Sequence, residues 1–245
     1  IFYAVKANDD SLLLRHLRDR QCSFDVASVG EMRKMLSMGV PASRLIFANP
    51  VKSTEAIEEA FRAGVKAYTL DGDDEARKLA RVAQRLKLGV LEQPIGLVRV
   101  FTQSVDVTSD LSLKFGCQVN EAAGLIVLAR NQWLRIEGLA FHVGTQSYSS
   151  DNYVRALNDC RQIQENLFAA GAAPVRIIDI GGGFPCDTLG GRGVTGLHSL
   201  LAVIGSSMKH PGFAGTQFWC EPGRALAGPS STLVGRVLGR RDTES

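Results

Sequence analysis

No Cys-x-x-Cys pair occurs among the five cysteines, Cys22, Cys117, Cys160, Cys186 and Cys220. Odd in number and widely spaced, they suit neither a disulfide framework nor a zinc knuckle, and a reducing cytosol is the expected compartment. No apolar run reaches the roughly 18 residues that span a bilayer, and no basic, apolar, small-residue leader opens the chain. Charge is nearly balanced: 28 basic against 25 acidic residues give a net +3, and the basic residues are interspersed with acidic ones. A nucleic-acid partner is not expected from such a distribution, and Gly239-Arg240-Arg241 reads as a solvated chain end. No His/Cys/Asp/Glu cluster has metal-ligand spacing, and no Gly-x-Ser-x-Gly elbow is present. Three glycines, Gly181 to Gly183, fail the dinucleotide pattern Gly-x-Gly-x-x-Gly, because Cys186 stands where the last glycine belongs.

What the chain does have is length and rhythm. Its 245 residues, 45% apolar, can bury a substantial core. Short β-type runs at 1–7, 23–27, 44–48, 66–70, 96–102, 134–143, 175–180 and 217–220 alternate with stretches whose apolar residues recur three and four apart. Those helical stretches are 11–20, 29–38, 54–63, 74–86, 121–131 and 151–170, with a further candidate at 197–208. Alternating β and α units predict a parallel sheet. Eight strands in this length predict a closed (β/α)8 TIM barrel, since open doubly wound sheets usually carry fewer strands. The absence of an initial Met and the polar end 242–245 suggest one domain of something longer.

Four segments stand out, each an apolar run ending in polar or glycine residues: Phe2-Tyr3-Ala4-Val5-Lys6-Ala7-Asn8, His142-Val143-Gly144, Asp179-Ile180-Gly181-Gly182-Gly183-Phe184-Pro185, and Glu221-Pro222-Gly223-Arg224. In a barrel, chemistry sits where strands end, and phosphate is commonly held after strands seven and eight. Here those loops are the glycine run and Glu-Pro-Gly-Arg. Consecutive glycines let backbone N–H groups approach an anion, and Arg224 adds a planar charged fork. Lys6, in an apolar run, is costly to bury unless paired, neutral or covalently engaged; a Schiff base is one use, and a salt bridge to Asp25 or Glu221 is the other. Glu221 is placed to hold a pyridine nitrogen protonated or to pair with Arg224 or Arg99. His142 is placed to lie against a planar ring, whereas His16, His198 and His210 read as solvated. A lysine, a phosphate cradle and an acidic ring partner together point to pyridoxal 5′-phosphate.

With Phe24-Asp25-Val26-Ala27-Ser28, Phe47-Ala48-Asn49-Pro50-Val51-Lys52 and Lys114-Phe115-Gly116 added, the chain resembles the ornithine/diaminopimelate decarboxylase family of alanine-racemase-like pyridoxal-phosphate enzymes. Gly-Gly-Gly-Phe-Pro places it nearer the ornithine and lysine branch. The resemblance implies that Lys6 is the Schiff-base lysine, His142 the residue stacked on the ring, and Glu221 the partner of the ring nitrogen. It assigns the phosphate to Gly182, Gly183, Gly223, Arg224 and Thr145, with Asp25, Glu31 and Arg99 supporting the lysine and the ring. It implies α-decarboxylation of a basic or diamino acid such as ornithine or lysine to an amine, by a cytoplasmic homodimer serving polyamine biosynthesis. Thr145-Gln146 and Ala225-Leu226 depart from the serine-glycine and aromatic forms of eukaryotic ornithine decarboxylases, and Cys186 stands where glycine is common. The family also carries a second, β-rich domain built from both chain ends, with substrate-binding acids and a cysteine that reaches the partner's site. That domain is not visible in this chain, whose whole length reads as the barrel. A non-catalytic regulatory relative and a single-barrel cofactor carrier are the competing readings.

Overall fold

In the computed structural model, residues 1–107, 114–186, 195–230, 234–236 and 239 are described. Arg240, Arg241, the polar end 242–245 and part of the loop that follows Cys186 lie outside them. Eight strands form one sheet in sequential order: β1 Phe2–Ala4, β2 Ser23–Val26, β3 Leu45–Phe47, β4 Ala67–Leu70, β5 Ile95–Arg99, β6 Ile136–Ala140, β7 Ile177–Asp179 and β8 Gln217–Trp219. Every neighbouring pair is parallel. The ring closes where Phe2 and Ala4 donate backbone N–H groups to the carbonyls of Cys220 (2.9 Å) and Pro222 (3.2 Å). This is the expected (β/α)8 barrel.

Helices α1 Ser11–Asp19, α2 Val29–Ser37, α3 Thr54–Ala63, α4 Asp73–Arg85, α5 Val119–Asn131, α6 Ser150–Ala169 and α7 Thr195–Met208 follow the strands in turn, and α8 Arg224–Ala227 is a single turn. Their starts are written in short polar side chains. Asp10, Ser28, Ser53 and Ser149 each accept a hydrogen bond from the first-turn backbone of α1, α2, α3 and α6, which satisfies donors that have no partner inside a helix. Gly64, at φ +76°, ends α3 in the left-handed conformation that glycine adopts most cheaply. Among the described residues, no helix is long and apolar enough to cross a membrane.

Alternation along the strands sorts the apolar residues into two layers. Tyr3, Phe24, Val26, Leu45 and Phe47 point outward and pack against α1 to α3 in one buried cluster. Phe2, Ile46, Ala67, Leu97, Ala140, Ile177 and Trp219 fill the barrel itself. Gly138 leaves room for this filling, since a Cβ there would lie 2.3 Å from Leu97 Cδ2. Lys66 sits with its ammonium 5.0 Å from the Trp219 ring and 5.6 Å from the Phe2 ring, a cation–π contact with both.

The predicted strand runs are longer than the strands. Lys6 is not in a strand: β1 ends at Ala4, and Val5–Ala7 forms a 3-10 turn on the barrel rim. Likewise His142 and Glu221 lie two residues past the ends of β6 and β8, and Arg224 opens α8 rather than ending a strand. In each case an apolar run continues while the ladder has ended, because the chain must turn outward to start its helix.

Candidate active site

The barrel-filling residues fix a parity that continues past the strand ends. Two residues beyond Ala4, Ala140 and Trp219 come Lys6, His142 and Glu221; two beyond Leu97 and Ile177 come Arg99 and Asp179. Asp25 shares the inward register of β2. The period of two therefore gathers lysine, arginine, imidazole and three carboxyls at one end of the barrel, the end to which the strands point. There a cavity of about 570 Å³ opens, lined by Lys6, His142, Thr145, Gln146, Gly182, Gly183, Glu221, Gly223 and Arg224 among others. Of the residues to which the resemblance gives a site role, Asp25, Arg99 and Glu31 are absent from its wall.

Those three act from behind it. Lys6 Nζ lies 3.3 Å from Asp25 Oδ2; the lysine side chain is 53% accessible, toward the cavity, while Asp25 is 1% accessible. The Asp25 carboxylate, aided by Glu221, raises the Lys6 pKa against the opposing effect of burial. Glu31 Oε2 accepts the Ala27 N–H at 2.7 Å, which fixes the turn after β2 that carries Asp25. Arg99 stacks on Phe115 at 5.1 Å. Phe115 is brought there by Gly116, whose N–H is bonded to Asp71 Oδ2 at 2.9 Å.

His142 is neutral: burial, and then the charges of Arg99 and Lys6, push its pKa down to about 3. Its Nδ1 accepts the Gly144 N–H at 3.0 Å, so the ring proton sits on Nε2. Glu221 behaves oppositely. Burial and the neighbouring carboxyls Asp179 and Asp25 raise its pKa well above the usual range. Asp179, fully buried, is raised to about 7, chiefly by burial. One Asp179 oxygen accepts the Gly181 N–H at 2.9 Å and the other has no protein donor. Burial and the charge of Asp179 together favour the protonated form of Glu221.

The glycine run is shaped by contact. Gly181 (φ +64°) and Gly183 (φ +95°) adopt left-handed conformations, and a Cβ on either would lie 2.1 Å from the Phe141 carbonyl or 2.3 Å from the Gly144 carbonyl. The Gly182 carbonyl accepts the Tyr153 hydroxyl at 2.9 Å, and the Gly183 carbonyl accepts the Ser147 N–H at 2.8 Å. In a trans peptide the N–H points opposite to the carbonyl. With both carbonyls fastened to the protein, the N–H groups of Gly183 and Phe184 face the other way, and neither has a protein acceptor among the described residues. Unused N–H groups beside Arg224 fit a phosphate dianion. A neutral imidazole, a protonated carboxyl and a lysine fit the rest of pyridoxal phosphate.

Asp179 is the residue that the sequence reading passed over, although it opens a quoted motif. Its signal was available in parity: it is in step with Ile177, as Glu221 is with Trp219. Lys52 was also quoted without a role; it is 1% accessible, and its Nζ donates to the carbonyls of Asn49 (2.8 Å), Pro50 (3.3 Å) and Thr69 (2.6 Å).

A parallel barrel with a lysine on its first strand's rim and a glycine-and-arginine anion cradle on its last two defines the barrel-type pyridoxal-phosphate proteins. The family profile "Pyridoxal-dependent decarboxylase, pyridoxal binding domain" matches residues 1–228, so the chain belongs to the pyridoxal-dependent decarboxylase family. The lysine/ornithine decarboxylase of Selenomonas ruminantium is 34% identical over 241 residues, 98% of this chain and 58% of that protein. The ornithine decarboxylase of Neurospora crassa is 31% identical over 242 residues, 98% of this chain and 47% of that protein. Among solved structures, the lysine decarboxylase of Selenomonas ruminantium superposes with a TM-score of 0.81 at 35% identity, covering 91% of this chain and 56% of its own. The arginine decarboxylase of Paramecium bursaria Chlorella virus bound to agmatine gives 0.79 at 29%, covering 91% and 58%. The chain thus spans about half the length of the relatives it matches.

Proposed function

We propose that this chain is the cofactor-binding barrel of an amino-acid decarboxylase that converts a basic or diamino acid, ornithine or lysine first, to its amine. The observation that carries the reading is the single cavity that joins Lys6, His142 and Glu221 to an anion cradle. When bound, pyridoxal phosphate supplies the electron sink that accepts the electrons released with carbon dioxide. Lys6 would hold the cofactor through its amine, and Asp25 keeps that ammonium in place until its proton is given up. His142, neutral and with its Nδ1 fixed by Gly144, presents an uncharged face to the ring. Glu221 would face the pyridine nitrogen and hold a proton there. Gly182, Gly183, Gly223, Thr145 and Arg224 orient the phosphate, and Arg99 balances the surrounding carboxyls.

Relatives of about twice this length support a further proposal: a second domain and a homodimeric partner complete the substrate pocket, and they select the amino acid. Borohydride reduction of the cofactor-loaded full-length protein, followed by peptide mapping, tests the lysine, and release of carbon dioxide from ornithine, lysine and arginine tests the reaction. A reduced adduct on Lys6 with release from none of the three would leave cofactor binding standing and remove the decarboxylase reading.

A further inference from the structure

Two departures singled out in the sequence, Gln146 and Cys186, meet in the structure. Gln146 Oε1 accepts the Cys186 N–H at 2.9 Å and Gln146 Nε2 donates to the Cys186 carbonyl at 3.2 Å. The side-chain amide thus pairs both backbone groups of one residue, as a neighbouring strand would. Gln146 is 4% accessible and holds a left-handed φ of +55°, uncommon for a residue with a side chain. It lines the cavity, yet its amide oxygen and nitrogen are engaged by protein, so it is built as a brace and not as a ligand contact. The next residue, Ser147, donates its N–H to the Gly183 carbonyl and receives Asn152 Nδ2 on its hydroxyl at 2.9 Å. The loop after β6 therefore grips the loop after β7 at Gly183 and at Cys186, on either side of the Phe184 N–H. The Cys186 sulfur further fills the space beside Gly228, where a Cβ would lie 2.5 Å from it.

We propose that Gln146 is a positioning residue of the phosphate site: its two-point hold on Cys186 keeps the N–H groups of Gly183 and Phe184 aimed at the phosphate. The proposal rests on the cofactor reading above. It predicts an effect confined to the phosphate, which comparing pyridoxal phosphate with pyridoxal isolates.

Dissociation constants for both are measured in the full-length protein by absorbance of the lysine-bound form. Gln146→Met keeps the bulk and loses both hydrogen bonds; it is expected to weaken pyridoxal phosphate by about ten- to a hundred-fold and to leave pyridoxal unchanged. Gln146→Gly relieves the left-handed backbone without restoring the brace and is expected to show the same loss. An unchanged ratio of the two affinities in Gln146→Met, or full recovery in Gln146→Gly, would overturn the proposal. Arg224→Ala run alongside separates the failures: if it too leaves the ratio unchanged, the phosphate reading itself is wrong. Hydrogen exchange on the wild-type protein gives a readout that needs no variant. The Cys186 amide is expected to be protected before cofactor is added, and exchange at the rate of an open loop would equally overturn the brace.

Discussion

Lys6 and Lys52 are both lysines on the barrel rim, each beside a carboxylate, and they are built for opposite ends. Lys52 is sealed. Three carbonyls take its three N–H donors, so Glu75, 3.1 Å away, is paired by charge alone, and its second oxygen goes to Lys78 at 2.5 Å. Burial pulls its pKa down to about 8 in spite of Glu75. Lys6 has one partner at 3.3 Å, an open path to the cavity and a raised pKa. A lysine with every donor occupied holds a fold together, whereas a lysine with one long contact is free to exchange that contact for a covalent one. What sets Lys6 apart from Lys52 is its unspent hydrogen-bond donors, not burial alone.

The sharpest test of this contrast is Lys6→Ala, expected to abolish borohydride-trapped cofactor while the melting temperature of the cofactor-free protein stays close to wild type. Lys52→Met should do the reverse: lower unfolding stability by about 3 kcal/mol, the low end for breaking a buried pair because Lys78 remains beside Glu75, with trapping retained at saturating cofactor. Denaturant titration of both variants reads the difference; a Lys52 variant as stable as wild type breaks the comparison. Arg224→Ala should weaken cofactor binding by about ten- to a hundred-fold with little change in stability, as fluorescence titration would record.

Two further variants act on the Lys6 side alone. Asp25→Asn removes the chief cause of the raised lysine pKa, so the amine is free at lower pH and the pH profile of cofactor capture should move to lower pH. A profile that stays in place, or moves up, would discard Asp25 as the group that holds the ammonium. Asp179→Asn changes the linkage of stability to pH. The folded state holds the Asp179 proton up to about pH 7, against an ordinary pKa of 3.8. That contribution is full below 3.8 and lost as pH rises through about 7. The variant should flatten the fall in melting temperature of the cofactor-free protein across that window.

Much of this was legible in the residues, for identifiable reasons. The eight strands and the seven long helices between them follow from hydrophobic period. The candidate site was legible because Lys6, His142, the glycine run and Glu221 to Arg224 each close an apolar run; that Lys6, His142 and Glu221 follow residues lining or filling the barrel by two positions came only from the strand register. What could not be read depends on neighbours across the sheet. The Asp179–Glu221 pair needs β7 beside β8; the hold of Gln146 on Cys186 needs two loops forty residues apart brought together. The sealing of Lys52 needs the Thr69 carbonyl of β4. A one-dimensional pattern carries phase along a strand but not the partner across from it.

The closure of the ring between β1 and β8 has a consequence for how the protein assembles. Lys6 follows the first strand, and Glu221 and Arg224 follow the last, so the cavity straddles the one seam whose two sides are most distant along the chain. That contact carries the largest loop-closure entropy and is expected to form late in folding. A cofactor held by Lys6 on one side and by Arg224 on the other, as proposed, would act as a latch on the final step, slowing the seam's reopening. Exchange at the Phe2 and Ala4 amides should slow when cofactor is bound, more than at amides in the middle of the sheet.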